Sequence, residues 1–485
     1  MSNLVDYLEE VSMRRKFFTA FAGVVSFLMI GAMTADAADI TFGGRIRPRF
    51  EYWDLQADQS GGGAASTFRN DDASFINMLV RLQAKAKIND NASAFIQLQS
   101  NVRFGNDPTA GGPGAPNQPN DTSTDVGIHQ AYFTLNKFFG APVDLQIGRQ
   151  EIILDGHRLF GNTVWTQGMQ SHDAIRLTHS HANHTVMYAY SQGTENSFRG
   201  DAGGTFVGGS TDDVDDLETH VLWANLKGLA GENSSTSGYL VLTDQDCNST
   251  TGAGISCAAG LGSADFWTIG ARQAGGFGDF SYRGEFYYQT GKSNIAAPGG
   301  GTGDLDAFMF GVRAGYKAKN VPMKPSVTLW FDYLSGSDAA DIAAGDQSDF
   351  RTLYDTGHKY YGLMDIFLGG PTGNGPTHPA AGLVDYAIKL SVQPMAKTTL
   401  KADLHHFELA EDDLTTGGVG SGPSSLGQEI DITMVHKYSP STKIVVGYSH
   451  FFAKDLLSFY NSSAAARVNN TEDSDWLYVM FDVMF

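Results

Sequence analysis

The stretch that decides the fold is the last eleven residues, Asp475-Trp476-Leu477-Tyr478-Val479-Met480-Phe481-Asp482-Val483-Met484-Phe485. Leu477, Val479, Phe481, Val483 and Phe485 share one parity, while Trp476, Tyr478, Met480 and Asp482 share the other. That two-residue period describes a strand with one apolar face. Nothing follows Phe485 that could cover the face, so its natural solvent is lipid. A tilted strand needs roughly 9 to 11 residues to cross a bilayer, and this one has them.

Working outward, the same alternation recurs in eighteen segments: 40–53, 74–89, 92–104, 126–136, 143–149, 172–181, 184–193, 217–228, 236–245, 264–274, 277–291, 304–318, 324–336, 382–393, 397–409, 426–438, 441–454 and 474–485. Short links such as Asp90-Asn91, Ala182-Asn183 and Ser439-Pro440 alternate with long ones such as 105–125, 194–216 and 337–381. An even number of strands with short turns at one end and long loops at the other predicts an all-β, transmembrane, antiparallel up-and-down barrel of about 18 strands, with periplasmic turns and extracellular loops. No stretch after the N-terminal region has the roughly 18 consecutive apolar residues of a membrane helix. The 57 glycines and the 12% of aromatic residues also suit β-structure with many turns.

The N-terminal region has the layout of an export signal. Arg14, Arg15 and Lys16 precede an apolar run from Phe17 to Met33, and Ala35-Asp36-Ala37 offers small residues for cleavage. Residues 13–37 are therefore expected to be a signal peptide, residues 1–12 an extension from a misassigned start, and residues 38–485 the barrel. The full chain carries 33 basic and 53 acidic residues; removing residues 1–37 takes away three and four of them and leaves a net charge of −19. That balance argues against nucleic acid as a partner. Cys247 and Cys257 are the two cysteines, and in an exported chain a disulfide between them is expected, with two free thiols as the alternative.

The polar faces of the strands carry Lys, Arg, Asp and Glu, which a dry core would accommodate only at several kcal/mol per unpaired ion. A water-filled lumen avoids most of that cost. The first strand places Arg45, Arg47, Arg49 and Glu51 on one inward wall, next to Arg81, Lys85, Lys87 and Arg103 of the following hairpin, and Arg313 lies inward further along. A cluster of cations in a narrow wet passage favours anions. The alternative is that these cations pair with lumen acids such as Glu51, Glu285, Asp385, Asp403, Glu429 and Asp431. Pro48 in the same strand cannot donate to a ladder, which predicts a bulge. The acidic residues within 212–216, 338–349 and 411–413 (Glu411, Asp412 and Asp413) fit no EF-hand spacing and read as solvated loops, with bridging to lipopolysaccharide through divalent ions as the lesser reading. The histidines at 172, 179, 181, 184, 405 and 406 lack ligand spacing, so no metal and no cofactor is expected.

One loop carries family information. Gly148-Arg149-Gln150-Glu151 is followed by Gly156-His157-Arg158-Leu159, then Trp165, then Asp173-Ala174-Ile175-Arg176-Leu177; a second segment reads Gly357-His358-Lys359-Tyr360-Tyr361-Gly362 with Asp365. These motifs resemble the alginate-export porin family, and the C-terminal Phe485 resembles the closing strand of bacterial outer-membrane barrels. The resemblance implies a monomeric 18-stranded barrel in the bacterial outer membrane, facing bilayer and lipopolysaccharide, with a basic pore narrowed by loops. It further implies that Arg149, Arg158 and Arg176 line or shape the constriction and that Glu151, His358 and Asp365 anchor loops. Independently, the loop 150–171 bears Ile152, Ile153, Leu154, Leu159 and Phe160 and is too apolar to stand in water, so it should fold into the barrel. The expected function is passive diffusion of anionic solutes, from small carboxylates and inorganic anions to acidic oligosaccharides such as alginate-like polymers. The alternatives are a structural sheath around an electron-transfer or secretion partner and a barrel hydrolase; for the latter, Ser449 and His450 are neighbours that should point to opposite faces.

Overall fold

The structure, a computed structural model, describes residues 39–54, 73–104, 126–194, 217–245, 264–296, 302–367, 382–411, 424–454 and 473–485. The expected signal segment 13–37, residues 1–12, Cys247 and Cys257, and the aspartates at 212–216, 412 and 413 lie outside the described residues.

Eighteen strands account for most of the described chain: β1 (Asp39–Asp54), β2 (Ala73–Lys87), β3 (Ala92–Arg103), β4 (Gly127–Leu135), β5 (Asp144–Gln150), β6 (His172–Ser180), β7 (His184–Thr194), β8 (Leu217–Lys227), β9 (Ser234–Gln245), β10 (Ala264–Phe277), β11 (Phe280–Ala296), β12 (Thr302–Lys317), β13 (Ser326–Leu334), β14 (Leu383–Met395), β15 (Thr398–Glu408), β16 (Ser425–Ser439), β17 (Thr442–Ala453) and β18 (Ser474–Met484). Each is antiparallel to its sequence neighbours, and β1 pairs with β18 as well as β2, so the sheet closes without a free edge. The last residue takes part in closure. Gly44 N donates to Phe485 O at 2.8 Å, and Phe485 N donates back to Gly44 O at 3.1 Å. No helix among the described residues is long and apolar enough to cross a membrane; the crossing is made by strands.

The bulge expected at Pro48 is absent. Pairing with β2 runs through Pro48↔Met78 without a shift, and pairing with β18 keeps register while skipping Arg47 and Pro48. A proline costs one rung of a ladder, and here it drops rungs on the β18 side while both flanks stay in step.

Parity sorts the side chains as the sequence suggests. Ile46, Leu82, Ile96, Leu240, Ile269, Val312, Leu329, Ile388, Ile432, Leu477 and Phe481 are exposed around the outside, a belt that lipid covers. Phe139, Phe277, Phe280, Tyr316, Tyr438 and Phe485 stand exposed near the short turns, where amphipathic rings favour the interface. Ser449 faces inward and donates to Asp431, whereas His450 accepts or donates at Asp475 on the outer face at 2.8 Å, so the two do point apart.

Two long loops turn inward, 151–171 after β5 and, after β13, the described stretch 335–367. They pair with each other at Phe160↔Tyr354 through Gly161 N to Tyr354 O (2.8 Å), Tyr354 N to Leu159 O (2.9 Å) and Thr356 N to His157 O (3.0 Å). A short helix α1 (Ala339–Ala344) starts the second loop, with Asp338 Oδ1 accepting from the amides of Ala340 and Asp341 at 2.8 Å. Ile152, Leu154, Leu159, Phe160, Phe350, Leu353, Tyr360, Tyr361 and Phe367 are buried in this plug, each burial contributing on the order of 1.5–3 kcal/mol. Ile153 is the exception and remains exposed.

Candidate functional site

The plug is fastened to the wall by charge. Arg158, in the first loop, donates from Nη2 to Asp332 Oδ2 at 2.6 Å, from Nε to Glu285 Oε1 at 3.2 Å and from Nη1 to the Tyr361 hydroxyl at 2.8 Å, and its guanidinium lies 3.6 Å from the ring centre of Tyr360. Arg313 of β12 completes the set, donating to Glu285 Oε1 at 2.7 Å and to Asp332 at 3.1 Å while stacking 3.3 Å over Trp330. Two guanidinium groups thus face two carboxylates, in the geometry that lets a buried ion network offset its desolvation. Burial opposes the charge on Arg158, but Asp332, Tyr361 and Glu285 overcome it and hold its pKa well above the ordinary value.

The arginines of β1 do similar work on the opposite wall. Arg47 is buried and donates to Gln167 Oε1 (2.8 Å), Val164 O (2.6 Å) and Thr166 O (2.9 Å). Arg49 donates to Trp165 O and to Glu51 Oε1, each at 2.8 Å, and lies 4.2 Å over the Trp165 ring. Gln167 returns a bond to Arg47 O at 3.1 Å. Arg45 forms a two-pronged pair with Asp482 at 2.7 and 2.8 Å. Arg81 is also buried, donating to Gln99 Oε1 at 2.7 Å with Glu151 3.7 Å away. The successive arginines are thus occupied by loop carbonyls and lumen acids, and the pairing alternative accounts for Arg45, Arg49 and Arg313.

Other expected positions divide. Glu151 joins β4 to the loop, with His129 Nε2 at 2.9 Å and Asn162 Nδ2 donating at 2.8 Å; burial raises its carboxyl, but these bonds and the charge of Arg81 leave it below the usual value. His358 meets Asp365 at 2.8 Å and stacks on Trp165 at 4.3 Å with 6° between the rings, so the two loops touch through an aromatic pair. Arg176 is half-buried on the inner wall and donates to Gln146 Oε1 at 2.6 Å. Arg103 lies 4.3 Å over Phe75. Lys85 and Lys87 face inward at the periplasmic end, Lys87 beside Asp90 at 2.8 Å. Arg149 requires a correction. It lies on the outward parity of β5 and pairs with exposed Asp173 at 2.7 Å, because Gln146, Gly148 and Gln150 take the inward positions. A motif names a residue without giving its face.

Several residues that matter were missed from sequence. Asp155 accepts from Trp223 Nε1 at 3.0 Å and from the Tyr239 hydroxyl, tying the loop tip to β8 and β9. Gln167, Trp330 and Asp332 complete the arginine clusters, and only Asp332 carried a signal, as an acid on inward parity one row from Arg313, whose direct partner is Trp330. A set of lysines was equally legible by parity. Lys227, Lys317, Lys401 and Lys437 join Lys85 and Lys87 as exposed residues on inward parity near the short turns, with Lys443 half-buried among them. Acids on the same parity there include Asp39, Asp144, Asp403 and Asp482, of which Asp403 pairs with Lys389 at 2.9 Å and Asp482 with Arg45. The lumen therefore has a plugged upper part, where the arginines are engaged by carbonyls, amides and carboxylates, and a periplasmic mouth lined by lysines.

The comparisons with known proteins agree with this architecture. Among solved structures, OccAB4 of Acinetobacter baumannii is similar over 94% of this chain and 100% of its own, with 11% identity and a TM-score of 0.53. OccK9 (OpdG) of Pseudomonas aeruginosa covers 92% of this chain and 98% of its own at 11% identity and a TM-score of 0.51, and the P. aeruginosa outer membrane protein opdK has the same coverage at 10% identity and 0.51. At such identities the likeness is one of fold. No curated protein matches the sequence. The sequence profile described as alginate export matches residues 39–470, nearly the whole described barrel, and with this fold it places the protein in the bacterial outer membrane as a porin-like barrel of the alginate-export family.

Proposed function

We propose that this barrel passes anionic solutes by passive diffusion, gathering them at its periplasmic mouth. The observation that carries the reading is the inward-facing lysine set, Lys85, Lys87, Lys227, Lys317, Lys401, Lys437 and Lys443, on a chain whose net charge is −20. Low-dielectric walls focus the field of such a collar, raising the local anion concentration at the opening. Arg45, Arg47, Arg49, Arg81, Arg103, Arg158, Arg176 and Arg313 act higher up, where most of them shape the passage by holding the loops and the wall rather than by offering free charge. Glu151, His358 and Asp365 serve the same anchoring purpose. Within the family name, the solutes range from small carboxylates to acidic oligosaccharides. Residues 13–37 act as a cleaved export signal, which sequencing the N-terminus of the mature protein checks.

The test is a planar-bilayer recording across a KCl gradient. A reversal potential on the chloride side, reduced or inverted by Lys85→Glu with Lys401→Glu and Lys437→Glu, supports the reading. A cation-selective current, or a selectivity indifferent to those changes, overturns it, and silence favours a sheath around a partner.

A further inference from the structure

Below the plug, the wall between β2 and β6 carries aromatic and cationic side chains that do not fasten the loops, Arg176 being bonded to Gln146 Oε1, its neighbour on the same wall. Reading across the strands by register, one row runs Lys85, Phe95, Tyr132, Gly148 and Ala174. The row nearer the periplasm runs Lys87, Ser93, Thr134, Gln146 and Arg176. The row above holds Gln83, Gln97 and Gln130. Phe95 and Tyr132 are half-exposed, with ring centres 5.4 Å apart and planes tilted by 36°. They lie on the lumen-facing parity, partly exposed, and are not among the side chains packed on the buried cluster.

The partly exposed ring faces of this pair are available to stack on a solute in the lumen. Its surroundings define the chemistry. Lys85 is the direct cross-strand neighbour of Phe95, and Arg176 lies two strands across and one row down from Tyr132, so a cation stands at each end of the pair. Gly148 recesses the wall between Tyr132 and the Arg176 strand. It sits at φ +125, and a Cβ there would stand 2.2 Å from Ala131 O, so no side chain can fill the recess without moving the backbone. The glutamines above are engaged with one another, Gln97 Nε2 donating to Gln83 Oε1 at 2.8 Å and Gln130 Nε2 to Gln97 Oε1 at 3.3 Å, while Gln130 Oε1 accepts from Glu151 N at 3.1 Å. The patch therefore offers ring faces and positive charge in preference to free amides for a ring of hydroxyls.

We infer that Phe95, Tyr132, Lys85 and Arg176 form a binding subsite for a planar-ring carboxylate, the ring stacking on the aromatic pair and the carboxylate turned to Arg176 or Lys85. The inference rests on the anion-channel reading for its physiological meaning, but its binding claim stands apart from conduction. One offset ring contact and one charge-assisted hydrogen bond are each modest, so the site is expected to be weak and selective.

The experiment is isothermal titration of the full-length protein in detergent micelles with 4-hydroxybenzoate, acetate and glucuronate. Saturable binding of 4-hydroxybenzoate, at least about tenfold tighter than acetate or glucuronate and weakened about tenfold or more by Arg176→Gln or by Tyr132→Leu, is the expected result. Phe95→Leu, which keeps the apolar volume and removes the ring, gives a second reading should Arg176→Gln disturb folding, as judged by circular dichroism. Equal binding of acetate shows a charge effect without ring recognition, equal binding of glucuronate shows that planarity is not recognised, and either overturns the subsite. So does binding unaffected by Tyr132→Leu and Phe95→Leu. A failed channel would instead appear as an absent or cation-selective bilayer current with titration unchanged.

Discussion

The inward arginines and the inward lysines of this barrel share a face, a charge and a lumen, yet the structure uses them differently. Arg47, Arg49, Arg158 and Arg313 are buried among loop carbonyls, carboxylates and aromatic rings, whereas Lys85, Lys227, Lys317, Lys401 and Lys437 stand exposed at the periplasmic end. The planar guanidinium, with five donors in a fixed fork, can satisfy several acceptors at once and still stack on a ring. The compact, strongly hydrated ammonium group is better left in water. Positive charge on a lumen wall therefore does not by itself identify the groups a solute meets. The acceptors around each cation decide whether it is a fastener or a free field source.

The sharpest way to break this division is to remove a fastener. Arg158→Met should leave Glu285 and Asp332 with Arg313 as their remaining guanidinium partner and cost about 3–5 kcal/mol in the stability of the plug. The expected readout is a marked rise in single-channel conductance and faster proteolysis within 335–367, with the strand signal in circular dichroism retained. An unchanged conductance would mean that Arg158 holds nothing that limits flow.

Gly362→Ala tests the second loop from another direction. Gly362 has φ +84, and a Cβ would meet Glu429 Oε2 at 2.4 Å, below the point where Met364 N donates to Glu429 Oε1 at 2.9 Å. Strained backbone of this kind with overpacking costs about 1–3 kcal/mol, expected as a lower thermal midpoint for loop release and a smaller rise in conductance than that of Arg158→Met.

The plug should also respond to acid through His157. Burial first, then the charge of Lys359, lowers its pKa from 6.5 to about 4, so the inserted loop holds a neutral imidazole. Once released into water the ring titrates near 6.5, so the released state takes up a proton that the inserted state refuses. Stabilisation by this group is complete above about pH 6.5 and is lost progressively as pH falls towards 4. Protection factors of the loop amides, corrected for the intrinsic slowing of exchange in acid, should fall in that window, and His157→Phe should flatten the dependence. Loop exchange that is equally pH-dependent in His157→Phe would assign the response elsewhere.

The smallest stability effect should come from the lysines. Lys85→Gln combined with Lys401→Gln and Lys437→Gln should leave the thermal midpoint within error, because exposed charges contribute little to folding, while anion preference falls and its salt dependence weakens. A large loss of stability would show that these lysines are fasteners too and would erase the distinction.

The sequence alone determined the barrel. Strand length, two-residue alternation, the apolar terminal strand and the rhythm of short and long links are local properties, and a lipid solvent imposes them on every strand in turn, so eighteen segments could be read as eighteen strands. Parity also placed Lys85 and Arg313 on the inner wall, and the apolar residues of 150–171 foretold an inserted loop. What the tertiary structure decided was the state of each charge. That Arg47 meets the carbonyls of Val164 and Thr166 and that Arg158 reaches Glu285 and Asp332 across more than a hundred residues follow from where two long loops settle inside the closed ring. Alternation fixes which way a side chain points, but its neighbour across a lumen is set by packing between segments remote in sequence, and no local period encodes that.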